Sequence, residues 1–298
     1  MKIAVIGLGL IGGSIARDLH RTGFASEIIG VETNPEHVQE AMKLGLCHRH
    51  EELIPAVQEA DLVVIAIPVD KIEKILPAVL DNINPNTTVT DVGSTKKKIC
   101  RAVEGHPNRT NFVPSHPMSG TENSGPKAAV EGLFEGKISI ICDLEKSRPQ
   151  HVALVEKMYH AIGMKLAYMS SDDQDHSTAF VSHLPHATAF ALANAVLDKE
   201  EREVILDLAS GGFQSAVRLA KSSPEMWGPI FQQNKKYLLE ALEVYMRHLE
   251  DLKVAIETDE DRMMKIIKNA NGIRQILDQE NSHMIKNEET IVKLYTKK

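Results

Sequence analysis

A short β-branched run, Ile3 to Ile6, opens directly into Gly7, Gly9 and Gly12 at G-x-G-x-x-G spacing, and the helix-like stretch SIARDLHRTG follows at once. Few sequences constrain a fold so tightly, because each glycine meets a different steric demand. The first allows a tight strand-to-helix turn, the second lets backbone approach a pyrophosphate, and the third lets helix and sheet pack closely. Unfilled N–H groups at the helix N-terminus then face the phosphates. A second apolar run, Ile28 to Val31, ends at Glu32. A carboxylate there accepts hydrogen bonds from a ribose 2′-OH and repels a 2′-phosphate, so the expected cofactor is NAD rather than NADP. Gly7, Gly9, Leu10, Ile11 and Gly12 at the turn, with Glu32 and the loop residue Pro68, form the expected cofactor set.

Short apolar runs alternate with amphipathic stretches up to about residue 168, at 2–6, 27–31, 62–67, 87–92, 111–114, 137–142 and 164–168. Such alternation predicts a mostly parallel, doubly wound sheet. Ligands sit beyond the carboxyl ends of its strands, so the loops at Pro68, Gly93 and His116 are expected to line one crevice. From Ser170 onward strand signals vanish. Between Trp227 and Ile256, Phe231, Leu238, Leu242, Tyr245, Leu249, Leu252 and Ile256 recur at helical spacing. A stripe that long predicts burial against other helices or a second subunit, and a homodimer is expected. The predicted architecture is an α/β Rossmann-like doubly wound N-terminal domain, residues 1–168, followed by an all-α dimerisation domain, residues 169–298.

The 298 residues carry a net charge of −7, with no lysine or arginine block. That argues against nucleic acid and against a polybasic membrane anchor, and no segment reaches the roughly 20 apolar residues of a membrane helix. Cys47, Cys100 and Cys142 are odd in number and lack C-x-x-C spacing, which fits a reducing cytoplasm and neither a disulfide framework nor a zinc ribbon.

Outside the cofactor turn, SHPMSGTE carries His116, the side chain best suited to proton transfer near neutral pH. A loop histidine held by a backbone carbonyl is the plainer alternative. In DVGSTK, Ser94 follows another strand, where its hydroxyl can share a substrate hydroxyl with His116 or cap a helix beginning at Lys96. Offsets of seven and three put His176, His183 and His186 near one helical face. Pro185 disturbs that helix and no carboxylate or cysteine completes a motif, so no metal is expected. GGFQSAVRLAKSSPEMW combines Arg218, whose guanidinium suits a carboxylate, with Trp227.

Together GLGLIGG, DVGSTK, SHPMSGTE, SHLPH and the segment from Arg218 to SSPEMW resemble the prephenate dehydrogenase family over nearly the whole chain. The resemblance implies NAD-dependent oxidative decarboxylation of prephenate to 4-hydroxyphenylpyruvate in tyrosine biosynthesis. It implies that His116 accepts the hydrogen bond of the ring 4-hydroxyl and that Ser94 orients that hydroxyl. Arg218 would bind a substrate carboxylate, His183 or His186 would lie near the other end, and Glu122 would pair with the arginine, with Trp227 also lining the substrate. Relatives often read F-R-D-x-T-R where this chain reads FQSAVR, so Gln214 and Ser215 replace a charged pair. The few residues after about 285 are too short for the amino-acid-sensing ACT domain of many relatives. Arogenate or dual cyclohexadienyl dehydrogenation is the nearest rival. A β-hydroxyacid dehydrogenase lacks its expected helical-domain lysine setting here, and a non-catalytic NAD-sensing regulator is the rival from another class.

Overall fold

The computed structural model describes residues 1–277. The tail of the expected second domain, and the expectation about residues after 285, lie outside the described residues. The order is β1 (Lys2–Ile6), α1 (Leu10–Arg21), β2 (Glu27–Val31), α2 (Pro35–Lys43), β3 (Arg49–His50), α3 (Leu53–Glu59), β4 (Leu62–Ile65), α4 (Val69–Asn82), β5 (Thr88–Asp91), α5 (Lys97–Ala102), β6 (Phe112–Pro117), β7 (Ile138–Cys142), α6 (Pro149–Ala161) and β8 (Lys165–Met169). The strands lie side by side as β3-β2-β1-β4-β5-β6-β7-β8. Every neighbouring pair is parallel except β6 and β7, which run antiparallel. The seven apolar runs each become a strand. β3 escapes the sequence reading because Arg49 and His50 present no apolar run at all.

Helices cover both faces, as the nearly continuous apolar strands require. Alternation along β1 sends Ile3 and Val5 to the face packed by α1 and α6, while Ala4 and Ile6 point to the face packed by α3 and α4. Asn34 illustrates the local logic of the helix starts: its side chain accepts from the N–H of Glu36 and His37, and Pro35 takes the first helical position, where no donor is needed.

Beyond the sheet the chain is helical: α7 (Ser171–Thr178), a π-turn over Ala179–His183, α8 (Leu184–Leu197), α9 (Arg202–Asp207), α10 (Gly211–Val217), a 3₁₀ turn over Arg218–Lys221, α11 (Pro224–Gln233), α12 (Lys235–Thr258) and α13 (Glu260–Asn271). The π-turn shifts the phase of the three histidines, so they do not form the single row that regular helical spacing predicts. The stripe expected between Trp227 and Ile256 is likewise divided at Asn234 into α11 and α12. α11 lays Trp227 and Ile230 into the core beside Ile72 and Leu76 of α4, which fastens the helical half to the α/β half.

Along α12, Leu238 is buried but Leu249 and Ile256 are 53% and 63% exposed, and Met264 and Ile267 of α13 are exposed as well. An apolar face of that length on one chain calls for a second protein surface. Replacing Leu249 with Asp is predicted to shift sedimentation equilibrium at micromolar protein toward the monomer. A variant with the same dimer mass and dissociation constant as the parent would place the contact elsewhere.

Candidate active site

The turn after β1 matches the steric demands read from its glycines. Gly7 sits at φ +92°, a conformation that favours glycine. A Cβ on Gly12 would collide with the carbonyl oxygen of Gly7, so α1 approaches the strand as closely as only glycine permits. A Cβ on Gly9, by contrast, would meet nothing nearer than the Gly125 nitrogen at 3.9 Å, which leaves a cradle open to a ligand. No side chain caps the N-terminus of α1. At the end of β2 the Glu32 carboxylate accepts from the N–H groups of Thr33 (2.9 Å) and Asn34 (3.0 Å), and its other oxygen lies 3.4 Å from Leu8 N. It is thereby fixed at the rim of the cradle. Leu10 and Ile11 form the first turn of α1, and Pro68 opens α4 at the carboxyl side of β4, all three half-buried. A dinucleotide with its pyrophosphate on α1 and its ribose on Glu32 fits this donor and acceptor set.

His116 occupies β6 itself, paired with Ile140 of β7, rather than the expected loop. Strand pairing through Ser115, His116 and Pro117 carries β6 three residues past the apolar run. The residue is 7% exposed, and burial, the Lys96 cation and His183 push its pKa down to about 3. The imidazole is therefore neutral throughout the ordinary pH range. Its Nδ1 lies 2.8 Å from Nε2 of Gln174, a fully buried residue of α7. The same Gln174 nitrogen donates to the Ser94 carbonyl at 3.2 Å. Ser94 is half-buried, and no hydrogen bond of its hydroxyl is seen among the described residues.

Ser94 does not cap a helix. α5 begins at Lys97, and its first N–H groups are taken by Asp175, whose carboxylate accepts from Lys96 N (2.7 Å) and Lys97 N (3.1 Å). A charged cap from another domain displaces the local serine because it serves two donors and complements the helix dipole. Burial nevertheless pushes the Asp175 pKa up to about 6. Beneath this loop the Lys96 ammonium is fully buried against the Asp91 carboxylate.

The helical-domain residues form a second tier. His183 is fully buried, and its Nδ1 lies 3.0 Å from Nδ2 of Asn234, which also donates to the Asp175 carbonyl at 2.6 Å. Burial pushes the His183 pKa down to about 4. His186 stacks on Trp227 with ring centroids 3.4 Å apart, and its Nδ1 donates to the Ser182 carbonyl at 2.9 Å. Trp227 also meets His183 edge-on and is almost entirely buried, so in one chain its ring supports the two histidines. Arg218, 54% exposed, pairs with Glu122 at 3.0 Å, and its charge helps lower the His186 pKa. The Glu122 carboxyl is held below the ordinary range by a backbone hydrogen bond and by Arg218.

Thus His116 and Ser94 meet through Gln174, while His183, His186 and Trp227 form one cluster. His176 is elsewhere, edge-on to Phe180 and Tyr237. Among the described residues no group of three or more His, Cys, Asp or Glu side chains is placed to hold a metal. Gln174, Asp175 and Asn234 were not singled out from sequence. Nothing in DQD or QNKK marks these residues, since their partners are 51 to 80 positions away.

Both halves of the chain are similar to known proteins. A family model described as the nucleotide-binding domain of prephenate dehydrogenase matches residues 15–168, and one described as its dimerization domain matches residues 170–269. The chain is 33% identical to a prephenate dehydrogenase of Bacillus subtilis, over 91% of this chain and 75% of that protein. It is 31% identical to a cyclohexadienyl dehydrogenase of Zymomonas mobilis, over 92% and 95%. A crystal structure of prephenate dehydrogenase from A. aeolicus, in complex with hydroxyphenyl propionate and NAD+, superposes with a TM-score of 0.86 at 32% identity, covering 93% of this chain and 98% of that one. With both halves matched in order, the chain belongs to the prephenate dehydrogenase family.

Proposed function

We propose that this chain catalyses the NAD-dependent oxidative decarboxylation of prephenate to 4-hydroxyphenylpyruvate, working as a homodimer. The observation that carries the reading is the joining of His116 and Ser94 through one buried carboxamide, at the carboxyl ends of β6 and β5 beside an open dinucleotide cradle. The A. aeolicus relative holds NAD+ and a phenol bearing a carboxylate side chain together, and such a phenol resembles the product of this reaction. Three buried free cysteines fit work in the reducing cytoplasm. Among the described residues no helix is long and apolar enough to cross a membrane.

When bound, NAD supplies the acceptor for a hydride. The ring carbon bearing the hydroxyl gives up its hydrogen with the bonding pair. The bond from the ring to its carboxylate breaks, its electron pair enters the ring, and carbon dioxide leaves. The hydroxyl keeps its proton and becomes the phenol. No proton must therefore be removed overall, and the site's task is to hold the hydroxyl so that the C–H faces the cofactor. A neutral His116 and the Ser94 hydroxyl suit that task. With Nδ1 of His116 facing Gln174, Nε2 is the ring nitrogen left for the substrate hydroxyl. Arg218 and Glu122 sit nearer solvent, where the guanidinium can exchange its carboxylate partner for a substrate carboxylate.

The discriminating assay is NADH formation with prephenate and with arogenate, each with NAD and NADP. Turnover on prephenate with NAD is expected. Preference for arogenate would keep the fold and reassign the side-chain pocket, as the cyclohexadienyl relative makes concrete, and silence on both substrates would favour a non-catalytic regulator. Arg218→Ala should raise KM for prephenate by about tenfold, as loss of a partly screened, charge-assisted contact implies; an unchanged KM would place Arg218 outside the pocket.

The pH profile is expected to lack a free-histidine limb. His116 stays neutral down to about 3, so kcat/KM should not fall on protonation of a group near 6.5. A limb near pH 6 that disappears in Asp175→Asn belongs to the carboxyl whose pKa is raised to about 6. A limb near 6.5 that survives in Asp175→Asn and disappears in His116→Asn would contradict the account.

A further inference from the structure

The chain that leaves the histidine strand does not run clear of the cofactor turn. β6 ends at Pro117, and the segment that follows is fastened to α1 at its far end. There the Ser14 hydroxyl accepts from Val130 N at 2.9 Å, and the Asp18 carboxylate accepts from Gly132 N at 3.1 and 3.2 Å. Both acceptors are fully buried side chains of the helix that begins at the cradle. A third tie runs to α2, from Lys127 to Glu40 at 3.8 Å. Between these anchors the segment passes the cradle at Gly125. Apart from Gly9's own chain neighbours, the Gly125 nitrogen is the one described heavy atom within 4 Å of the Cβ that Gly9 lacks. On its other side, His37 Nε2 of α2 lies 3.7 Å from the Cβ that Gly125 lacks. The Gly125 backbone is held at φ +79° and ψ 176°, a combination open essentially to glycine alone. No acceptor for its N–H is seen among the described residues.

We infer that Gly125 is a further cofactor-binding residue, whose N–H donates to the NAD pyrophosphate alongside the N-terminus of α1, and that the segment from Ser119 to Ala129 roofs the cradle. The inference rests on the cradle being a dinucleotide site and is independent of which ring substrate is oxidised. A pyrophosphate carries two negative charges, and one helix N-terminus answers them with only its first few N–H groups. The Gly125 N–H adds a donor that its own turn does not use, since that turn is closed by Ala128 N donating to the Gly125 carbonyl at 3.2 Å. Pro126, next in the chain, has no N–H to compete with it. The anchors at Ser14, Asp18 and Glu40 fix the roof before the cofactor arrives, so little ordering is left to oppose binding. The same segment carries Glu122, the partner of Arg218, so one stretch of chain serves both the cofactor and the substrate carboxylate.

The test uses the full-length protein and three probes: NADH, ADP-ribose, which keeps the pyrophosphate, and adenosine, which lacks it. NADH binding is read by its fluorescence and the other two by displacement of NADH. Alanine does not hold the Gly125 backbone angles, so the N–H turns away in Gly125→Ala. That variant is expected to bind NADH and ADP-ribose about tenfold more weakly, as loss of one hydrogen bond to a charged group implies, with adenosine unchanged. In the parent protein, ADP-ribose should slow deuterium exchange in the peptide spanning Ser119–Ala129, and adenosine should not. This second measurement needs no substitution and decides the matter even if Gly125→Ala folds poorly. Parental ADP-ribose affinity in Gly125→Ala would overturn the inference, as would unchanged exchange in the parent protein. Equal weakening of all three probes would also overturn it, by making Gly125 a shape-keeping turn and not a pyrophosphate contact. A parent protein that binds neither NADH nor ADP-ribose would defeat the dinucleotide reading of the cradle itself, a separate failure.

Discussion

Everything at the candidate site depends on the buried carboxylate of Asp175 closing over the N–H groups of Lys96 and Lys97. α5 is only six residues long, too short to hold a loop in place by its own hydrogen bonds. The cap arrives from α7, in the other half of the molecule, and its neighbour Gln174 takes the Ser94 carbonyl and His116 in the same reach. Asn234 then holds the Asp175 carbonyl from α11's end. The helical domain therefore finishes the α/β domain's site as well as offering a face to a second copy.

The electrostatics follow from that enclosure. A fully buried ammonium at Lys96, matched by Asp91, stands near His116 without touching it. Desolvation disfavours a charge on either buried imidazole, and at His116 this cation adds to it, so both rings stay neutral where a solvent-exposed histidine would titrate. Arg218 lies at the surface, paired with Glu122. Charge is thus graded from an exposed ion pair at the outside to neutral hydrogen-bonding rings inside, which suits an anionic substrate whose reacting carbon must become an uncharged phenol.

The fold was largely legible because its signals are local. Apolar runs of four to six residues and three glycines at fixed offsets specify β1, α1 and the sheet that follows. β3 left no such trace, and β6 runs on to His116 through antiparallel pairing with β7, a long-range register that apolar periodicity does not encode. The candidate site was legible residue by residue but not as a network. Ser94, His116, Glu122 and Arg218 stand in recognisable motifs. The amide and carboxylate that hold them belong to an unremarkable polar stretch at 172–175, and Asn234 breaks a helical stripe that reads as continuous, because its side chain is spent on His183 and Asp175.

The electron pair released with carbon dioxide replaces the pair that leaves as hydride, so the two departures are linked within one turnover. Prephenate deuterated at the hydroxyl-bearing carbon and labelled with carbon-13 in the ring carboxylate tests this directly. Equal amounts of deuterated NADH and labelled carbon dioxide, with the phenol as product, are predicted. Deuterium transfer without carbon dioxide release, or release of carbon dioxide without reduced cofactor, would contradict the account.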